Sequence, residues 1–117
     1  MSSTERNLVA VTACVSGVAH TYMAAERLEK ICQQENWSIQ IETQGALGID
    51  NPLTDQRIRH AEVVLLITDI ELNGAERFGQ SRCVTSRTTL FLSDPTKVVN
   101  AVRKLLYAPE KTRVIVS

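Results

Sequence analysis

Residues 7–30 read NLVAVTACVSGVAHTYMAAERLEK, and this stretch decides the fold. Leu8–Ala13 is a nearly continuous apolar run, the pattern of a strand covered on both faces. A short loop opens on Cys14, and helical periodicity begins at about His20. A cysteine at the end of a strand, followed by small residues and a helix start, makes an anion site. The amides of Val15, Ser16, Gly17, Val18 and Ala19 can turn toward one oxyanion, and the helix dipole adds positive potential. The same field favours thiolate over thiol, lowering a pKa of about 8.5 to roughly 3.5–7.5 at helix N-termini. Cys14 is therefore read as a thiolate nucleophile in a phosphate cradle, with the Ser16 hydroxyl and the Gly17 backbone contributing contacts. His20 either caps or packs locally, or steadies the thiolate and the incoming phosphate.

Working outward, Glu62–Thr68 is a second continuous apolar run and reads as another central strand. Ser38–Thr43 alternates instead, Ile39 and Ile41 on one face and Gln40 and Glu42 on the other, which suits an edge. Arg82–Thr85 is short and weakly apolar and suits the opposite edge. The expectation is an α/β three-layer sandwich: a four-stranded, mainly parallel sheet of order 2-1-3-4 with helices on both faces. In such sheets ligands bind beyond the strand C-termini where the connections reverse direction. That position belongs to Cys14 and to the loop beginning at Asp69.

The helices have clear signals. Ala24, Ala25, Leu28, Ile31 and Cys32 form an apolar stripe, with Glu26, Arg27, Glu29, Lys30 and Gln33 outside. Thr54 is positioned as an N-cap with Asp55 in the first turn, Leu53 and Ile58 are spaced as a hydrophobic staple, and this helix ends near His60. Asp94 as N-cap and Pro95 at the first position open a last helix carrying Val98, Val99, Val102, Leu105 and Leu106. The domain is read as residues 1–107. Beyond it the segment 108–117, APEKTRVIVS, breaks the pattern at Pro109 and suggests no role.

Composition narrows the function classes. The chain has 117 residues with 13 basic and 13 acidic side chains, enough for one domain and without net attraction to nucleic acid or an anionic membrane. No apolar run approaches the ~18 residues of a membrane span, and MSSTERN lacks a signal-peptide core. The three cysteines, 14, 32 and 83, have neither disulfide-framework nor metal-ligand spacing. A cytoplasmic, reduced protein needing no metal or cofactor is expected. Cys32 on the helix stripe and Cys83 on a strand are read as packing residues.

One position separates two chemistries. Low-molecular-weight tyrosine phosphatases carry a C-x5-R loop whose arginine grips the phosphate with two parallel hydrogen bonds. Here the sixth residue after Cys14 is His20. Cys14-Val15-Ser16-Gly17-Val18-Ala19-His20-Thr21, followed by Tyr22-Met23-Ala24-Ala25-Glu26, resembles instead the active loop of the fructose-class enzyme IIB of the bacterial sugar phosphotransferase system, C-P-T-G-I-A-H-T with M-A-A downstream. Val15-Ser16 stands where that family has Pro-Thr, which keeps a hydroxyl and releases a fixed φ. Glu42-Thr43-Gln44-Gly45 with Gly48 is similar to the family's E-T-Q-G segment, and Asp69-Ile70 and Glu76-Arg77-Phe78 extend the resemblance over roughly residues 7–107. The resemblance implies a phosphoryl-relay subunit. Cys14 would accept phosphate from a phosphohistidine on a IIA protein or domain and pass it to a fructose-like sugar held by the IIC membrane permease. Gln44, Gly45, Asp69 and Arg77 are candidates for the site's rim or a partner contact; Gln44 and Gly45 alternatively just turn the chain, and Arg77 is either a surface charge or a donor to the phosphate and partner. A phosphatase-like hydrolase, a non-catalytic regulatory module and a thiol redox protein are the rival readings.

Overall fold

In the computed structural model the described residues are 6–13, 18–45 and 48–117, the side chains of 18–20 excepted. Strand β1 (Arg6–Ala13) leads to helix α1 (Val18–Glu35), β2 (Trp37–Gly45) and β3 (Gly48–Asp50). Helix α2 (Asp55–His60) and β4 (Val63–Thr68) follow, then a 3-10 turn at Ala75–Phe78 and β5 (Cys83–Ser86). Helices α3 (Thr88–Ser93) and α4 (Pro95–Leu105) and strand β6 (Arg113–Ile115) complete the order.

All six strands join one sheet in the order β3-β2-β1-β4-β5-β6. Every neighbouring pair is parallel except β2 with β3, which closes as a hairpin through Gly45 opposite Gly48. Gly48 holds φ at +115°, a conformation open to glycine and costly for other residues. The continuous apolar runs are explained by cover on both faces. Leu8, Ala10, Val63, Leu65 and Ile67 pack beneath α1, α3 and α4, while Val9, Val11, Val64 and Leu66 pack against Leu53 and Ile58 of the α2 region and Phe78 of the 3-10 turn.

The sheet thus has six strands, correcting the expected four. The strands read from sequence are its middle, β2-β1-β4-β5, and each expected edge is covered by a short strand, β3 on one side and β6 on the other. A three-residue strand carries too little periodicity to be recognised, and β6 falls in the segment from which no role was read. Helix α1 starts at Val18, two residues before the expected His20. Helix α3, TTLFLS, was not anticipated; its β-branched and aromatic residues carry no helical signature. The capping signals hold. Thr54 Oγ1 accepts from Arg57 N at 3.1 Å, Asp94 Oδ1 accepts from Lys97 N at 3.4 Å, and Pro95 opens α4. Ala24, Leu28 and Cys32 are buried with Ala25 and Ile31 at the margin, as the stripe on α1 requires.

Candidate active site

The connections around β1 leave on opposite faces. From β1 the chain crosses through α1 to β2 on one face, then through α2 to β4 on the other, so β1 and β4 bound a switch point. Their C-terminal ends are bonded directly: Asp69 N–H donates to Ala13 C=O at 3.1 Å. Because α1 carries the chain back from the end of β1, its N-terminus and positive dipole end lie at this edge of the sheet, four residues after Cys14. Cys14, Val15, Ser16 and Gly17, and the side chains of Val18, Ala19 and His20, lie outside the described residues. The backbone of Val18, Ala19 and His20 forms the first turn of α1, where N–H groups have no partner within the helix. Thr12 and Thr21, on the α1 side of the sheet, are buried with hydroxyls that find no partner among the described residues.

The rim candidates divide into two groups. Asp69 Oδ1 accepts from Thr88 N at 3.0 Å and lies 3.9 Å from Arg87 Nε, tying the end of β4 to the start of α3. Gln44 and Arg77 instead meet around Glu42. That glutamate, on the face opposite Ile39 and Ile41, is only 1% exposed because the connection after β4 folds over it. Arg77 Nη1 and Nη2 donate to the two Glu42 carboxylate oxygens at 2.9 and 3.1 Å. Glu42 also accepts from Leu53 N at 2.9 Å and from Gln44 Nε2 at 2.7 Å. Gln44 in turn exchanges two hydrogen bonds with the Asn73 backbone, each of 3.0 Å. Burial alone would raise the Glu42 pKa, but the Arg77, Leu53 and Gln44 hydrogen bonds and the arginine's charge together hold it below the usual range.

Arg77 is therefore built into the structure. Its Nε donates to Gly74 C=O at 2.7 Å, Nη2 also reaches Asn73 C=O at 3.2 Å, and the guanidinium stacks 4.9 Å from the Phe78 ring centroid. Gly74 sits at φ +76°, and a Cβ there would meet Arg77 Nε at 2.7 Å, so only glycine lets the side chain wrap the turn. Sequence reading missed Asn73 and Gly74 altogether and gave Glu42 only a place on the polar face of an alternating strand. The available signal was two polar residues, Glu42 and Gln44, sharing one face of a strand, but nothing local connects them to an arginine 35 positions away. Gly45 ends β2 exposed at the hairpin and belongs to neither group.

Elsewhere the described residues contain no cluster of metal-ligating side chains, and no helix is long and apolar enough to cross a membrane. Cys32 and Cys83 are buried free thiols.

The class this architecture defines is an α/β domain in which, by sequence, a cysteine follows a central strand at a switch point and precedes a helix N-terminus, a place suited to an anion. Comparison with known proteins narrows this. The family model described as "PTS system, Lactose/Cellobiose specific IIB subunit" matches residues 9–101. The chain is 64% identical over 108 residues to the PTS system fructose-like EIIB component 3 of Escherichia coli K12, covering 92% of this chain and 96% of that one. A crystal structure of a predicted fructose-specific IIB from E. coli superposes with a TM-score of 0.91 at 63% identity, covering 94% of this chain and 97% of that chain. A PTS system fructose-specific EIIABC component of Mycoplasma pneumoniae is 36% identical over 103 residues, 88% of this chain and 15% of its own length. The chain belongs to the IIB subunits of the sugar phosphotransferase system, which are phosphotransferase subunits. The resemblance carried by the cysteine loop and the Glu42–Gly45 segment is thereby shown at the level of the family.

Proposed function

We propose that this chain is a cytoplasmic phosphoryl relay of a fructose-like phosphotransferase system, with Cys14 as the carrier. In the first step the Cys14 thiolate attacks the phosphorus of a phosphohistidine on a IIA protein. The S–P bond forms, the P–N bond breaks, and its electron pair returns to the imidazole, which takes a proton. In the second step a hydroxyl oxygen of a fructose-like sugar held by the IIC permease attacks the phosphorus. The S–P bond breaks, the thiolate is regenerated, and the hydroxyl proton passes to a base on the acceptor side. The loop amides of Val15 to Ala19, the Ser16 hydroxyl and the N-terminus of α1 stabilise the phosphoryl charge throughout.

One observation carries this reading: Cys14 directly follows Ala13, the last residue of a central strand at the switch point, with His20 where a phosphatase loop has arginine. A relay must accept and release phosphate with little loss to water, and the absence of that guanidinium suits it. The fused domain name of the Mycoplasma relative supports IIA and IIC as partners. The test is incubation with a fructose-class IIA protein phosphorylated on histidine, followed by intact-protein mass spectrometry. A single phosphoryl adduct is expected on the wild type and none on Cys14→Ser. Equal adduct on the serine variant overturns the assignment, and rapid hydrolysis of an aryl phosphate in its place favours a hydrolase.

A further inference from the structure

We infer that Glu42 and Arg77 are positioning residues for docking of the phosphodonor protein, holding the connection 69–78 as a fixed ledge beside the nucleophile. This rests on the relay reading. The ledge is anchored at both ends. At its root, Asp69 N–H bonds to the carbonyl of Ala13, the residue before Cys14, and Thr68 Oγ1 accepts from Ile70 N at 3.0 Å. At its far end the Arg77 fork grips the buried Glu42 carboxylate, and Asn73 is bonded on both its backbone groups to Gln44.

Phosphorus moves between proteins only when the donor histidine comes within bonding range of the thiolate, so the donor must cover whatever borders Cys14. The ledge's root is bonded to Ala13, the residue that directly precedes Cys14 in the chain. Its outer surface presents Ile70 and the carboxylates of Glu71 and Glu76, all exposed. Those two carboxylates form no hydrogen bond or ion pair with the described residues, whereas the ledge's one cation, Arg77, is consumed by Glu42. The occupant that fits is a protein carrying cationic and apolar side chains around its phosphohistidine. Arg77 then acts on the reaction through the shape of the ledge and does not touch the phosphoryl group.

Two variants separate the roles. Glu71→Lys changes only an exposed contact, while Glu42→Gln keeps the shape and removes the charge that holds Arg77. Titration calorimetry of the full chain with the unphosphorylated fructose-class IIA protein reads the Kd. Amide exchange reads the ledge, and Cys14 alkylation reports the nucleophile. Glu71→Lys is expected to raise Kd about tenfold and flatten its salt dependence, with exchange unchanged. Glu42→Gln is expected to raise Kd by several-fold, to about tenfold, and speed exchange at residues 73–78, leaving the Cys14 alkylation rate at the wild-type value. Arg77→Lys, which keeps the charge and loses the fork, should fall between wild type and Arg77→Met. Unchanged Kd in both Glu71→Lys and Glu42→Gln overturns the inference. So does Arg77→Lys with normal Kd and slowed transfer at saturating donor, which would make Arg77 a phosphoryl ligand. If the Kd pattern holds but Cys14 takes no phosphate, the relay reading fails and the docking ledge stands. Phosphate uptake with invariant Kd gives the reverse.

Discussion

Cys32 lies 1% exposed on the inner face of α1, where burial first, and then the charges of Glu35 and Glu29, push its thiol up to about 12. Cys83 is likewise raised by burial, with Arg113 opposing. Neither forms appreciable thiolate near neutrality. Alkylation of the native protein followed cysteine by cysteine against pH should find both inert at pH 8. Cys14 should titrate below the ~8.5 of an unperturbed thiol. A value at or above that means the loop and helix end do not stabilise negative charge. His20→Arg tests the comparison with phosphatases: a guanidinium meeting two phosphoryl oxygens should hold phosphate longer on Cys14 and slow its onward transfer. A ground-state gain of only ~1.4 kcal/mol would bias the phosphocysteine tenfold. The lifetime of phosphocysteine in buffer, with the rate of transfer to the permease-bound sugar, reads both effects; no change in either means that residue 20 does not face the phosphate. At this scale the sequence was informative where a residue's neighbours along the chain determine its surroundings, as for Cys32 on its stripe. It was silent at Glu42, whose partner arrives from a distant connection.

The elements were legible in proportion to their local signals. The caps at Thr54 and Asp94 announce α2 and α4, because the side chain and the N–H it accepts from are three residues apart. Helix α3 has no such announcement, since Asp69, from another element, satisfies Thr88 N. The pair between β2 and the 3-10 turn gives an element-scale prediction. Glu42→Gln leaves Arg77, 22% exposed, without its counter-charge, and should lower stability by about 3 kcal/mol at pH 7. The folded pKa of Glu42 is depressed, so its stabilising contribution is complete above the unfolded value of about 4.3 and is lost as pH falls through the lower folded value. The gap between wild type and variant in urea unfolding should therefore narrow below about pH 4. A gap that stays constant from pH 7 to 3 would assign the loss to packing.

For the whole molecule, the α/β layering followed from two continuous apolar runs between amphipathic helices, whereas the sheet's width did not. Its outer strands are three residues each and are defined by their partners. Strand β6 pairs with β5 from Cys83 to Thr85, and Val116 beyond it joins the core. Truncation after Tyr107 should remove roughly 1.5–3 kcal/mol of burial from that valine alone. With the lost pairing, melting should fall by on the order of 10 °C. It should also leave β5 as a bare edge, so that light scattering rises with concentration. Unchanged melting and monodispersity would mean β6 only decorates the sheet.

The order of the strands also bears on synthesis. Strand β1 emerges from the ribosome first, yet it sits between β2 and β4, and β4 is not complete until Thr68. A nascent chain carrying only β1, α1, β2 and β3 has one flank of its most apolar strand open. Cover for that flank comes from residues not yet translated. The strand that leads into Cys14 thus waits longest for its neighbours, and any pause in translation between Asp50 and Val63 exposes that seam to other chains.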